Sequence, residues 1–152
     1  MHLVLAMLED SLTIKLVENE EEFAGAIGVR FRVFVSEQSI PPEEELDQYD
    51  ATSTHAIALI QDLVVGTGRL FRQDSNTGLI GRMAVDQEWR RRGVGGQILD
   101  YLEEVARSRG MTLSVLHAQE YVKEFYASHG YQQHGEVFLE VEIPHVEMWK
   151  DL

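Results

Sequence analysis

Hydrophobic and polar positions change period several times along this chain, and each change predicts an element. Leu12, Ile14 and Leu16 alternate with Thr13, Lys15 and Val17, the two-residue period of a half-buried strand. Asn19 then precedes Glu20, Glu21 and Glu22, a capping residue and an acidic first turn, which predicts a helix. On it Phe23, Ile27, Phe31, Phe34 and Val35 fall close to one face and read as core. Periodicity stops at Pro41-Pro42, so residues 39–54 read as an irregular acidic segment. Residues 55–61, 63–71 and 79–85 read as three strands, joined by a tight turn at Asp62 and by the hairpin signal Asp74-Ser75-Asn76-Thr77-Gly78. Ile98, Leu99, Leu102, Val105 and Ala106 keep helical spacing up to the stop signal Gly110. The β-like run 112–118 follows that crossing helix, which predicts that it lies parallel to the strand at 79–85. Gln119 is predicted to open a short helix, and residues 131–141 and 143–149 to close the fold as a strand pair. In 135–142 charged and apolar residues alternate, which predicts that the glutamates there face water. The fold class is α/β, with a mixed, mostly antiparallel central sheet and flanking helices.

The junction between the strand at 79–85 and the next helix carries the clearest chemistry. Gly81 predicts a bulge or a close approach in that strand. Arg90-Arg91-Arg92-Gly93-Val94-Gly95-Gly96 then leads into the helix. Glycines before a first helical turn let an anion approach backbone N–H groups with no Cβ in the way, and the helix dipole favours negative charge there. Three arginines add point charges. The spacing differs from the dinucleotide fingerprint and from the P-loop, and no Gly-Lys-Ser/Thr follows, so a nucleotide triphosphatase is disfavoured.

Arg90-x-x-Gly93-x-Gly95, after a strand ending Met83-Ala84-Val85, resembles motif A of the GNAT (GCN5-related) N-acetyltransferases. Phe125-Tyr126-Ala127-Ser128-His129-Gly130-Tyr131 resembles the Phe-Tyr-x-x-x-Gly-Phe/Tyr segment of the same superfamily. The run from Arg30 to Gln38 and Ile143-Pro144-His145-Val146-Glu147-Met148 resemble its ElaA-like branch. The resemblance covers nearly the whole chain and implies one acyltransferase domain with a core of about residues 12–150. It implies acetyl-coenzyme A as cosubstrate, and two parallel strands that splay apart to admit its extended arm. It also implies that backbone N–H groups near Met83, Ala84 and Val85 face the acyl carbonyl. Those of Arg91, Arg92, Gly93, Val94, Gly95 and Gly96, next to Arg90, would face the pyrophosphate. Gln119 stands where many relatives carry an Asn that reaches the pantetheine arm, a departure that keeps an amide. Glu37 and Gln38 would border the acceptor site.

Composition narrows the partner. The chain has 152 residues with 44% hydrophobic content, which fits a single core. Thirteen Lys plus Arg against twenty-six Asp plus Glu give a formal net charge of −13, which opposes nucleic acid and anionic membranes and favours a cationic small-molecule amine. With no cysteine there is no disulfide, no thiolate metal site and no Cys acyl-enzyme, so direct acyl transfer in a ternary complex is expected. Residues 1–8 are apolar but short and lead into Glu9 and Asp10; they read as neither signal peptide nor membrane span, with Met7 an alternative start, and a cytoplasmic location is expected. A homodimer through the late strands is the arrangement the resemblance implies.

Acetyl transfer needs a polarised carbonyl, a neutral amine and a proton for the departing thiolate. Tyr126 is the candidate acid, matching the tyrosine used that way in many relatives; its phenol has a reference pKa near 10. A lysine-like amine, with pKa about 10.4, is uncharged in only about one molecule in a thousand at neutral pH, so a base must help. Glu37, His117 and His145 are candidates for that base and for holding the substrate. The histidine spacings match no compact ligand motif, so no metal is expected. Residues 43–50 gather five acids, readable either as a solvated loop or as an anionic rim of an acceptor pocket. One of Arg30 and Arg32 is expected to be solvated and the other to pair with Glu37 or with an acid of that segment. Two other readings remain: an acyl-homoserine-lactone-synthase-like transferase, suggested by Arg32-Val33-Phe34 and Glu37, and a coenzyme-A-binding module without transfer activity.

Overall fold

The computed structural model describes residues 11–152; the N-terminal expectations for residues 1–8 and Met7 lie outside them. The chain runs β1 (Thr13–Leu16), α1 (Glu20–Arg30), a π-helical continuation (Phe31–Glu37), α2 (Pro42–Glu45), then β2 (Thr54–Ile60), β3 (Leu63–Arg72) and β4 (Thr77–Val85). A 3₁₀ turn (Gln87–Trp89), α3 (Val94–Ser108), β5 (Leu113–Gln119), a second 3₁₀ turn (Glu120–Val122), α4 (Lys123–Ser128), β6 (Gln132–Glu140) and β7 (Ile143–Asp151) complete it. Among the described residues the strands form a seven-stranded sheet in the order β1-β2-β3-β4-β5-β7-β6. Every neighbouring pair is antiparallel except β4 and β5, as the crossing helix predicts. No helix among the described residues is long and apolar enough to cross a membrane.

Local chemistry sets the element ends. Asn19 caps α1 by accepting the Glu22 N–H at 2.8 Å. Gln61 and Asp62 both take positive φ, 48° and 66°, so the β2–β3 turn uses two left-handed residues where Asp62 alone was expected. Asp74 Oδ1 accepts the N–H groups of Asn76 and Thr77 at 2.9 and 2.8 Å, starting the β4 hairpin two residues before the predicted strand. Gln119 ends β5, where its backbone pairs with His145 of β7, and also caps the 3₁₀ turn that follows, opening the short helix as expected.

Two apolar layers sandwich the sheet. Ile98, Leu99, Leu102 and Ala106 of α3 close over Ala56, Ala58, Val65, Leu70 and Ile80. A Cβ on Gly68 would stand 2.6 Å from Met83 Sδ and 2.9 Å from Ile98 and Leu102 carbons, so this glycine is what lets α3 approach β3. On the other face Ala26, Val29, Val33 and Phe34 cover Ile57, Val64 and Ala84. The buried face of the first helix therefore differs from the expected stripe: of that stripe only Phe34 is buried, while Phe23, Ile27, Phe31 and Val35 are half-buried. Arg30 occupies the inward position the polar code hides, and the π turn shifts the register after it.

Arg30 is buried because the acidic segment folds in to meet it. Its guanidinium lies 2.7 Å from Asp50 and donates to the Glu45 carbonyl at 3.0 Å, with the Glu45 carboxylate alongside. Arg69 holds Asp47 and Asp50 at 2.8 and 3.0 Å, and Arg82 holds Asp47 at 3.0 Å. Glu45, Asp47 and Asp50 are thus spent on three arginines, so neither a fully solvated loop nor an open anionic rim describes them; Glu43 and Glu44 stay exposed. Burial pushes the Asp50 carboxyl up, but Arg30, the Asp47 N–H and Arg69 outweigh it and hold it well below the usual carboxylate range. Arg32 is the solvent-exposed one of the two, as expected, although it also grips Asp86 with two bonds of 2.8 and 2.9 Å.

Candidate active site

A cleft opens where the parallel strands part. β4 and β5 pair only at Thr77↔Leu113, Gly78↔Ser114 and Leu79↔Val115, and beyond these the two strands part. On its other edge β4 carries a bulge, with Thr67 opposite Ala84 but Arg69 opposite Gly81, and Arg82 in the gap at φ 51°. The bulge expected from Gly81 is therefore present, and the backbone at Met83, Ala84 and Val85 runs along the wall of the opening.

β4 leads into the glycine turn. Gly93 takes φ 81° with nothing within 4 Å of where a Cβ would stand, and it caps α3. The first N–H satisfied at this helix end is that of Gln97, onto the Gly93 carbonyl at 3.1 Å, so those of Val94, Gly95 and Gly96 have no intrahelical acceptor. Phe125 of α4 lies 3.6 Å from the position of a Gly95 Cβ, which places the Phe-Tyr segment against the turn. The three arginines do not act alike. Arg90 donates to the Val85 carbonyl at 2.9 Å and clasps Glu37 with both guanidinium nitrogens at 2.8 Å. Arg92 lies over the Trp89 ring at 5.9 Å, and Arg91 is exposed with φ 62°. Glu37 is thereby joined to the turn 53 residues away rather than to Arg30 or Arg32.

The far wall is tied by amides. Gln119 Nε2 donates to Gln38 Oε1 at 2.8 Å, and Gln38 Nε2 donates to the Tyr121 hydroxyl at 3.2 Å. Two candidate residues 81 positions apart thus bridge the end of β5 and the end of the π turn. Tyr126, on α4, is buried, only 8% exposed, with its ring edge-on to Phe125 and to Tyr131. Burial, with a smaller effect from Tyr121, pushes its phenol pKa well above the ordinary value, and no hydrogen bond engages the hydroxyl among the described residues.

His117 and His145 stand together on the sheet face away from α3, with a partner the sequence missed. His117 Nδ1 lies 3.1 Å from Glu140 and its Nε2 3.3 Å from Glu147, and His145 Nε2 lies 3.5 Å from the second Glu140 oxygen. Glu140 first, and Glu147 after it, raise the His117 pKa against the opposing effect of burial, while His117 lowers that of Glu140. The glutamates of 135–142 do reach water, as expected, but Glu140 is half-buried and also bonds His117. A bulge on β6 between His134 and Phe138 resets the alternation, turning Glu140 toward the histidines and leaving Val137 and Leu139 exposed. Strand alternation alone could not have found Glu140, since the bulge has no glycine–proline signal beyond Gly135.

Known proteins share this architecture. The model of the acetyltransferase (GNAT) domain family matches residues 14–152. The uncharacterized N-acetyltransferase YjcF of Bacillus subtilis (strain 168) is 39% identical over 137 residues, covering 90% of this chain and 97% of its own. The crystal structure of Escherichia coli ElaA aligns with a TM-score of 0.80 and 25% identity over 91% of this chain and 99% of that one. A GNAT family acetyltransferase from Elizabethkingia anophelis, solved with acetyl-CoA bound, aligns with a TM-score of 0.73 over 94% of this chain and 99% of that one; at 18% identity it shares the fold.

Proposed function

This chain belongs to the GNAT acetyltransferase family, and on that premise we propose that it moves an acetyl group from acetyl-CoA directly to a primary amine within a ternary complex. The observation that carries the reading is the conjunction of the parted β4–β5 pair with the glycine turn that opens α3. In this reading the edge of Met83, Ala84 and Val85 that β5 leaves without a strand partner faces the thioester carbonyl, and an N–H there polarises it. The N–H groups of Val94, Gly95 and Gly96 receive the pyrophosphate, where the helix dipole adds to their pull. Glu37 holds Arg90 at the mouth of that turn, and the Gln119–Gln38 bridge fixes the wall along which the pantetheine arm lies.

Tyr126 supplies the proton for the departing thiolate. Because burial disfavours its phenolate, it stays protonated at neutral pH and serves as an acid, not a base. With no cysteine in the chain, no thiol is available for an acyl-enzyme, which supports direct transfer.

Calorimetric titration with acetyl-CoA tests the reading. Wild type is expected to bind. Gly95→Glu, which puts a carboxylate beside the proposed pyrophosphate position and bulk against Phe125, is expected to lose that binding while keeping the fold. Absence of binding by wild type would withdraw the assignment.

A further inference from the structure

Building on the acetyltransferase reading, we propose that Glu140 is the carboxylate that receives the acceptor's ammonium group and takes its proton, and that His117 passes this proton to water. His117 and Glu147, and Gln119 and His145, are cross-strand partners of β5 and β7, so all four project from one sheet face. Leu116, Ala118, Val146 and Met148 take the opposite face, under α3. Glu140 reaches this group from β6 and places one oxygen on each imidazole.

The contacts run in a line, from His145 through Glu140 and His117 to Glu147, instead of converging on a point. One end is buried: His145 is 5% exposed and neighbours Gln119, whose amide bonds Gln38 in the cleft wall. The other end is wet, with 42% of the His117 side chain and 36% of that of Glu147 exposed. His145 Nδ1 lies 2.6 Å from the Ile143 carbonyl, which can only accept, so that nitrogen carries a hydrogen and Nε2 is the one that faces Glu140, at 3.5 Å. The Phe138 ring packs between the two imidazoles, with centroids 5.1 and 6.0 Å away.

Availability separates Glu140 from the other acids near the cleft. Glu37 is clasped by Arg90, while Glu45, Asp47 and Asp50 are held by Arg30, Arg69 and Arg82. An arginine stays charged throughout the working range, so those pairs do not open by titration. Glu140 is paired with imidazoles instead, above all with His117, whose ring nitrogen can take up and release a proton. The charges that bear on this line are Glu147 and His145 from β7 and Arg82 from β4, whose field reaches Glu140.

Proton and electron balance is simple. An ammonium N–H breaks as a Glu140 oxygen takes the proton, and the pair left on nitrogen forms the N–C bond at the thioester carbonyl as the C–S bond breaks. Tyr126 gives its proton to the sulfur and regains the second proton lost by that nitrogen. The first proton moves from Glu140 to neutral His117 and leaves from its other nitrogen, so one proton is released per amide formed.

Phenethylammonium chloride is a suitable probe, titrated into the coenzyme-A-loaded full chain while histidine ring resonances are followed by carbon–proton correlation NMR. Wild type is expected to shift at His117 and His145, and Glu140→Gln to show no shift with coenzyme A affinity unchanged. In thiol-release assays with acetyl-CoA and phenethylamine, Glu140→Gln is expected to lower kcat/KM about 100-fold, the lower end of acid–base contributions. His117→Gln is expected to keep the amine KM, lower kcat, and move the acid limb of the pH profile to lower pH, which a merely structural pair would not do. A wild type without a histidine shift, or a Glu140→Gln variant with wild-type kcat/KM and pH profile, would overturn the assignment. Failure of wild type to bind coenzyme A would instead strike the acetyltransferase reading itself.

Discussion

At Tyr126 burial bears directly on the proposed role of acid. A phenol exposed to water ionises near pH 10, but this one sits among Phe125, Tyr131 and the α3 layer, and its raised pKa keeps the proton on the oxygen. Since no hydrogen bond engages the hydroxyl, Tyr126→Phe removes a donor and costs the fold little. Thiol release is expected to fall about 100-fold with the thermal midpoint nearly unchanged, and an unaltered rate and pH profile would remove the acid role. His117 and Glu140 give a pH dependence of opposite signs. His117, raised, adds stability that is present below its ordinary value and lost as pH rises through the raised one. Glu140, lowered, adds stability that is present above its ordinary value and lost as pH falls through the lowered one. Their joint contribution is therefore greatest between those limits. Both side chains are more than one-third exposed, so water screens the effect.

Elements position these residues through a few backbone exceptions. The β4 bulge at Arg82, the β6 bulge after His134 and the π turn after Arg30 each shift a side-chain register, and each lies beside the cleft or the histidine line. Close helix–sheet packing supplies the rigid background. Gly68→Ala forces its methyl into Met83, Ile98 and Leu102, and is expected to lower stability by about 1–3 kcal/mol, read as a drop in the urea midpoint. A midpoint equal to wild type would mean that α3 moves away at no cost.

For the whole molecule, the net charge of −13 gives a poor picture of where negative charge acts. Three acids of the segment after α2 begins are neutralised inside the protein, fastening that segment to β3 and β4 and thereby holding the π turn over the cleft. Arg30→Met leaves Glu45 and Asp50 buried without their cation, an expected loss of about 3–5 kcal/mol at pH 7. The sign with pH follows from Asp50: held low in the fold, its contribution is present above its unfolded value, near 3.9, and is lost as pH falls. Urea unfolding at neutral pH and near pH 3 should therefore show the deficit shrinking on acidification; a deficit independent of pH would argue against charge pairing as its source.

The meander, the α3 crossover, the parallel placement of β5 and the glycine turn were legible in the sequence, because each rests on local rules: strand alternation, capping, φ-permissive residues and the handedness of a crossover. The family was legible for the same reason, since its motifs are short contiguous stretches. What joins Glu37 to Arg90, Gln38 to Gln119, Arg30 to Asp50 and Glu140 to two histidines was not. Apart from Glu140 and His145, neighbours across the β6–β7 turn, those pairs span 20 or more residues, and they depend on bulges and a π turn that move a side chain from one face to another without a compositional mark. Sequence alone settled the fold and picked out the glycine turn proposed to receive a phosphate-rich ligand; tertiary structure decided which charges are spent on one another and which are left unspent, because burial and pairing are properties of neighbours in space.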